Sequence, residues 1–93
     1  MYLFQMYLNG NKWNGKGTEY NNYGELIFEG EFLNGEKNGK GKEYDNGKLI
    51  FEGEYLNGEK WNGKGKEYNY YNDKLKFEGE YLNGKKKWKR KRI

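Results

Sequence analysis

The sequence predicts an all-β protein built from tandem antiparallel β-hairpins. Three observations predict this fold: a segment of 23 to 26 residues recurs, apolar and charged residues alternate within it, and Asn-Gly pairs separate the alternating stretches. Alternation with a period of two gives each face of a strand its own residue type. Asn-Gly favours the positive φ angles of a two-residue hairpin turn. No window has the period of 3.6 residues that predicts an amphipathic helix.

Each repeat contains two motifs, which we expect to form the two strands of one hairpin. The first motif reads FEGEFLNG at 28–35 and FEGEYLNG at 51–58 and 77–84, with a looser copy, LFQMYLNG, at 3–10. The second motif, NGKGxEY, occupies 14–20, 38–44 and 62–68. The repeat domain therefore spans 1–84, with repeats at 3–27, 28–50 and 51–76 and a partial repeat at 77–84, and a basic tail follows at 85–93.

Glycine and aromatic residues share one face of each predicted strand. Phe51, Gly53 and Tyr55 lie on one face, whereas Glu52 and Glu54 lie on the other. Glycine inside a strand normally weakens a sheet, but aromatic rings from neighbouring strands restore the lost packing when they lie over it. We therefore interpret the spacing of glycine and aromatic residues as a packing device.

Strand register stays open at this stage. A two-residue turn at Asn46-Gly47 would place Lys42 opposite Phe51, and a three-residue bulged turn would place Gly41 there. One extra residue, tryptophan, occurs in two of the repeats, as Trp13 and Trp61. We expect it in the loop between two Asn-Gly pairs, where it leaves strand parity unchanged.

Composition indicates a single small domain with a thin core. Only 33% of the 93 residues are hydrophobic, 19% are aromatic, and Ala, Val, Cys, Ser, His and Pro are absent. Aromatic rings must therefore supply most of the buried area. The charge is uneven: seven of the 18 basic residues lie in 85–92, whereas all 14 acidic residues lie in the first 84.

The residue types argue against an enzyme. Without His, Cys and Ser, the chain has no ordinary pair of nucleophile and base. Paired carboxylates such as Glu52 and Glu54 are spaced like those of an inverting glycosidase, but their recurrence beside lysines predicts a solvated face with cross-strand ion pairs. The NGKG motif lacks the helix that a phosphate-binding loop needs. We expect no catalytic residue, no metal and no cofactor.

The motif FEGEYLNG…NGKGKEY resembles the MORN repeat (membrane occupation and recognition nexus) across 28–84, and more loosely across 3–27. The short period is similar to the variant found in bacterial and protist proteins. The resemblance implies an elongated, single-layer antiparallel sheet with one hairpin per repeat and an aromatic-lined groove. It also implies scaffolding, peptide binding in that groove, and placement at a membrane or the cytoskeleton. Gln5 departs from the motif, since it stands where the strand glycine is expected.

Two groups of residues are candidates for binding. The first is a stripe of aromatic residues, which either packs only on itself and the glycines or binds a protein partner: Phe28, Phe32, Phe51, Tyr55, Phe77, Tyr81, Tyr20, Tyr44, Tyr68, Trp13 and Trp61. The second is the tail, a candidate contact for an anionic surface or nucleic acid: Lys85, Lys86, Lys87, Trp88, Lys89, Arg90, Lys91 and Arg92. The tail is read as a solubilising terminus, as a clamp on anionic membrane, or as an RNA-contacting arm or nuclear address.

We therefore expect a non-catalytic scaffold that binds a protein partner through an aromatic groove and an anionic membrane through its tail. An RNA- or ribosome-associated component is the first alternative. An immunity or antitoxin-like protein, suggested by the resemblance alone, is the second. The last FEGEYLNG copy has no second motif after it, so we expect 77–84 to pair with a second copy, as a homodimer contact, or with a partner strand. With neither a signal peptide nor a run of ~20 apolar residues, we expect a cytoplasmic protein, peripheral at a membrane or the cytoskeleton.

Overall fold

The chain forms one open sheet of eight antiparallel strands in sequence order. The structure, a computed structural model, describes residues 2–9 and 12–91, and side chains within 13–87. The strands are β1 (Tyr2–Asn9), β2 (Lys12–Tyr20), β3 (Leu26–Leu33), β4 (Glu36–Asp45), β5 (Lys48–Leu56), β6 (Glu59–Tyr68), β7 (Leu75–Leu82) and β8 (Lys85–Lys91). The molecule measures 48 × 32 × 15 Å, a thickness that suits one layer. The predicted all-β, elongated, single-layer hairpin sheet is confirmed.

Asn-Gly pairs form the tight turns, as predicted. Asn46 and Gly47 have φ angles of 51° and 76°, and Asp45 pairs with Lys48 across the turn. Two consecutive positive φ angles are typical of the type I′ turn, whose twist matches that of the flanking strands. The same pattern closes three further hairpins, at Asn34-Gly35, Asn57-Gly58 and Asn83-Gly84.

The register between repeats differs from both predictions, because a β-bulge follows the turn. Tyr44 pairs with Leu49, but Glu43 pairs with Phe51, so Ile50 is the extra residue. Neither Lys42 nor Gly41 therefore lies opposite Phe51. The same one-residue shift recurs at Ile27 between β2 and β3 and at Lys76 between β6 and β7. A bulge of this kind is a local feature that alternation alone does not reveal.

The extra tryptophan lies within a strand and not in a loop. Trp61 belongs to β6, where Tyr55 pairs with Lys60 and Glu54 pairs with Asn62. The expectation that it sits in a loop is therefore wrong, and the sheet accommodates the odd residue as a bulge. Trp13 likewise lies in β2, paired with Leu8.

A chain of edge-to-face aromatic contacts forms the core on one face of the sheet. The ring centroids of Phe28 and Tyr55 are 5.3 Å apart, as are those of Tyr55 and Phe51, with interplanar angles of 89° and 79°. Phe32 and Tyr81 extend the chain at its two ends, at 5.5 Å and 5.4 Å. We call this layer of five rings the aromatic layer. Rings at these distances attract each other beyond the effect of their buried area.

Strand glycines make room for the aromatic layer. Gly30 and Gly41 face each other across β3 and β4, and a methyl carbon at Gly41 would lie 2.7 Å from Cε1 of Phe28. At Gly63 the corresponding carbon would lie 2.8 Å from Cζ of Phe51. The rings therefore rest directly on the backbone, which any larger residue would prevent.

Hydrogen bonds from each hairpin to the next turn hold consecutive repeats together. Oδ1 of Asn62 accepts the N–H of Asn83 at 2.9 Å, and the carbonyl of Trp61 accepts the N–H of Gly84 at 2.9 Å. Equivalent bonds join Asn14 and Trp13 to Asn34 and Gly35, and Asn38 and Lys37 to Asn57 and Gly58. The asparagine of NGKG therefore satisfies a turn amide one repeat further on.

The basic segment completes a fourth hairpin. Residues Lys85–Lys91 form β8, which pairs with β7 from Leu82↔Lys85 to Phe77↔Lys91. The expectation that 77–84 lacks a partner strand is therefore wrong. The sequence did not reveal β8 because KKKWKRK does not resemble NGKGxEY. β7 is paired on both sides, so the reason for expecting a dimer through 77–84 no longer holds. Among the described residues, β1 and β8 are the edge strands.

Two equivalent glycines should respond differently to alanine. At Gly41 a methyl group would collide with Phe28 and Tyr55, whereas at Gly65 the nearest atom, Cε1 of Tyr81, is 3.4 Å away. Gly41→Ala should lower the free energy of unfolding by about 1–3 kcal/mol, the usual cost of overpacking. Gly65→Ala, the matched control, should change it by less than about 1 kcal/mol. Urea denaturation measures both, and equal losses would contradict the described register.

Candidate interaction surfaces

The central rings of the predicted stripe are not open to solvent. Phe28 and Phe51 are 1% exposed, Tyr55 is 4% exposed and Phe32 is 5% exposed. The expectation of an open aromatic groove is therefore wrong at these four positions. Phe77 and Tyr81 are partly buried on the same face. These rings are buried in a single-layer sheet because they pack on one another and on the backbone of the strand glycines.

Lysine side chains close the aromatic layer from the solvent side. Nζ of Lys37 lies 4.4 Å from the ring centroid of Phe28, and Nζ of Lys60 lies 5.4 Å from that of Phe51. The methylene stems of lysine cover apolar surface while the ammonium groups reach water. These contacts add cation–π attraction at the centre of the sheet.

A partly buried hydrogen bond joins the aromatic layer to a carboxylate. The hydroxyl of Tyr55 donates to Oε1 of Glu43 at 2.6 Å, and Nζ of Lys60 lies 3.7 Å from Oε2 of Glu43. Burial, followed by the hydrogen bond to Glu43 and the charge of that carboxylate, raises the pKa of Tyr55 well above its usual value. The cluster holds neighbouring repeats together.

The tyrosines that follow the NGKG motif lie on the opposite face from the aromatic layer. Tyr44 is three residues beyond Gly41 on an unbulged strand, and its hydroxyl donates to Oε1 of Glu29 at 2.8 Å. That hydrogen bond, then burial, then the charges of Glu29 and Glu52 raise the pKa of Tyr44. Tyr20 and Tyr68 occupy the same position in β2 and β6. The expectation that these three tyrosines belong to the stripe is therefore wrong.

Glutamate and lysine strands alternate on this second face, which we call the charged face. Lys42 lies between Glu29 on β3 and Glu52 on β5, and its Nζ is 3.8 Å from Oε2 of Glu52. The predicted cross-strand ion pairs are therefore present. A shallow groove of about 570 Å³ crosses this face over Gly30, Gly41 and Gly53. Among the described residues, no cluster of acidic side chains is arranged to hold a metal ion.

Exposed tyrosines occupy two loops that sequence reasoning overlooked. Tyr23, between β2 and β3, is 89% exposed, and Tyr70 and Tyr71, between β6 and β7, are 85% and 93% exposed. The segments that hold these tyrosines, 21–27 and 69–76, have seven and eight residues, whereas the corresponding segment with Asn46-Gly47, 45–50, has six. The sequence signal that could have revealed them is the additional tyrosines in the two longest connecting segments.

Asparagine side chains fix the shape of both tyrosine loops. Oδ1 of Asn21 accepts the N–H groups of Tyr23 and Glu25 at 2.9 and 3.0 Å. Oδ1 of Asn69 accepts the N–H of Tyr71 at 2.9 Å. The Tyr70 and Tyr71 rings also meet edge to face at 5.4 Å. The tyrosines are therefore presented on structured turns.

Of the remaining candidate residues, the tryptophans and the bases of β8, some pack against the sheet and others are exposed. Trp61 is half-buried, and a methyl group at Gly84 would lie 3.2 Å from its Cζ3, so it packs under the next turn. Trp13 is 38% exposed. Lys85, Lys86 and Lys87 are exposed on β8, and Nζ of Lys86 lies 3.4 Å from Oε1 of Glu67. The side chains of Trp88, Lys89, Arg90 and Lys91, and all of Arg92, lie outside the described residues.

Comparison with known proteins gives no match to a protein family, to a curated protein or to a solved structure. None of the described residues belongs to a helix long and apolar enough to cross a membrane.

Removing the Tyr55 hydroxyl should show how much the Glu43 hydrogen bond contributes. Tyr55→Phe should lower the free energy of unfolding by about 1 kcal/mol at pH 7, because the partly buried carboxylate of Glu43 loses its donor. Tyr70→Phe, on an exposed loop, should leave it unchanged. Urea denaturation of both variants measures the difference, and an unchanged stability of Tyr55→Phe would contradict the described contact.

The same bond predicts loss of stability in alkali. A pKa raised in the folded state means that the contribution of Tyr55 is complete below its unfolded value of 10.0 and declines as the pH rises above it. Tyr55→Phe should therefore weaken the alkaline decline in denaturation midpoints measured between pH 8 and about pH 11. An identical decline in the variant would contradict this assignment.

Proposed function

We propose that this chain is a non-catalytic interaction module with two binding surfaces. A protein partner binds at the loop end, which is the end of the sheet that carries the loops 21–25 and 69–74 and the Asn46-Gly47 turn. An anionic partner binds along the basic strand β8. The observation that carries the proposal is the exposure of Tyr23, Tyr70 and Tyr71 on turns that asparagine side chains hold in place. Tyrosine is enriched at binding hot spots, and a ring on a structured turn loses little entropy on binding. The resemblance to MORN repeats, which implies scaffolding, supports the same class of function.

The loop end has a shape that suits a peptide or a helix. Two tyrosine-bearing loops flank the short Asn46-Gly47 turn, and four strand spacings of ~4.8 Å separate them by roughly 19 Å. This spacing exceeds the ~10 Å diameter of a helix. Nζ of Lys48 lies 4.0 Å from Oδ2 of Asp73, so the surface between the two loops also carries charge. The buried aromatic layer, by contrast, is committed to the core.

The basic strand supports the second part of the proposal. Lys85, Lys86 and Lys87 are exposed in succession at the sheet edge. Such a row attracts an anionic membrane, RNA or an acidic protein by the same electrostatic term, which salt weakens. Co-sedimentation of the full chain with anionic vesicles and, separately, with mixed RNA separates the first two. An RNA-associated role gains if RNA captures the chain preferentially at physiological salt.

Selection from a displayed random-peptide library tests the loop-end surface. Peptides selected on the full chain should bind Tyr23→Ser/Tyr70→Ser/Tyr71→Ser at least about tenfold more weakly, since hot-spot aromatics dominate binding energies. They should bind the control Leu33→Ser/Leu56→Ser/Leu82→Ser normally, because those exposed leucines lie before the Asn-Gly turns at the other end. Both triple variants should stay folded by circular dichroism. Selected peptides that bind all three proteins equally would refute the loop-end surface.

A further inference from the structure

β8 is an edge strand with one neighbour. It pairs with β7, and no described strand lies on its outer side. The outer row of an edge strand presents backbone N–H and C=O groups that an extended segment can pair with. Proteins often protect such edges with lysine, and β8 is rich in lysine.

The interior strands β4 and β6 show what surrounds a lysine of the charged face in this sheet. In β4, Lys42 lies opposite Glu29 on one side and Glu52 on the other. In β6, Lys64 lies opposite Glu52 on one side and Glu80 on the other. Each of these lysines is thus placed between two strands that carry glutamate at alternate positions. Cross-strand pairs of opposite charge favour this arrangement.

β8 has only half of this environment. Lys87 lies opposite Glu80, and Arg90 lies opposite Glu78, both on β7. The corresponding positions on the outer side have no glutamate strand among the described residues. β8 therefore combines an open backbone edge with a lysine, Lys87, whose counterparts Lys42 and Lys64 have a glutamate strand on both sides.

We propose that β8 binds an acidic, extended segment of a partner protein as a ninth antiparallel strand. The segment carries carboxylates at alternate positions, and these occupy the register positions opposite Lys87 and Arg90 on the outer side, as Glu80 and Glu78 do on the β7 side. Backbone hydrogen bonds supply the attachment and the charges supply the selectivity, as in other cases of strand addition. The proposal rests on the proposed function, because it names the anionic partner of the basic strand.

Other occupants fit less well. β1 of a second copy contains no acidic residue, and β8 of a second copy would set like charges against each other. The glutamate strands β3, β5 and β7 already have two neighbours each. The lysines of β8 therefore discourage self-association while leaving the edge compatible with an acidic strand.

Synthetic peptides test the proposal without a known partner. The probe has the sequence of Leu49–Leu56, LIFEGEYL, which belongs to β5 and pairs with β4 and β6 in this sheet. The control peptides are LIFQGQYL and LIFKGKYL. NMR titration of the full chain should show shifts at the amides of 85–91 with the first peptide, and slowed exchange at alternate amides of β8. The glutamine peptide should bind about tenfold more weakly, and the lysine peptide should not bind.

Variants of the full chain locate the binding. Lys87→Gln/Arg90→Gln should weaken binding of LIFEGEYL about tenfold. The control Lys16→Gln/Lys40→Gln removes the same charge from exposed positions on β2 and β4, away from β8, and should bind normally. Neutral glutamine avoids repulsion with Glu78 and Glu80, and unchanged amide protection across β7 verifies that β8 remains paired.

The outcomes separate this proposal from the proposed function. No shift at 85–91 up to about 1 mM peptide, or equal binding of all three peptides, overturns the ninth-strand proposal. Equal binding by both double variants also overturns it. Vesicles of anionic lipid that shift the amides of 85–91 when the peptide does not would assign the edge to a lipid surface. The loop-end surface is tested by its own tyrosine variants, so it stands or fails independently.

Discussion

The contact between an aromatic ring and a glycine backbone is the constraint on which the rest of this structure depends. A sheet of one layer has no second layer to bury its side chains, so the rings of Phe28 and Phe51 must lie down on the sheet itself. They can do so only where the neighbouring strands present glycine, as at Gly30, Gly41 and Gly63. Small aliphatic residues are largely missing because nothing remains for them to fill. The repeat thus encodes its own core, ring by ring, without a separate interior.

This solution determines which surfaces remain for function. The aromatic layer stabilises the fold and is closed by Lys37 and Lys60, so it offers little area to a partner. The charged face is already paired along its own strands. Among the described residues, the loop end with its tyrosines and the sheet edge at β8 are open and differ from the rest of the repeat. Both features lie where the repeat is irregular: two loops are lengthened, and the last hairpin replaces NGKGxEY with KKKWKRK. In a repetitive chain, departures from the repeat are therefore the most informative positions about binding.

Most of the fold could be predicted from the sequence, because period-two alternation and Asn-Gly turns are local signals. The register could not, because the bulge at Ile50 shifts the pairing by one residue and has no strong sequence mark. The side occupied by Tyr44 follows from parity along its own strand, yet grouping by residue type placed it wrongly with the other rings. The burial of Phe28 and Tyr55 depends on packing across repeats, which a strand pattern does not contain. β8 was missed because its charge suggested a free tail, whereas its register sets Lys87 opposite Glu80 and Arg90 opposite Glu78.

The most direct test of the ring–glycine packing is a set of nuclear Overhauser contacts between ring protons and glycine α-protons in the folded chain. The structure predicts contacts from Phe28 to the α-protons of both Gly30 and Gly41, and from Phe51 to those of Gly63. It also predicts ring-to-ring contacts from Phe28 to Tyr55 and from Phe51 to Tyr81. Rings that show none of these contacts would contradict this packing. In that case the aromatic face would again be open to a partner, and the assignment of function to the loop end and the β8 edge would lose its basis.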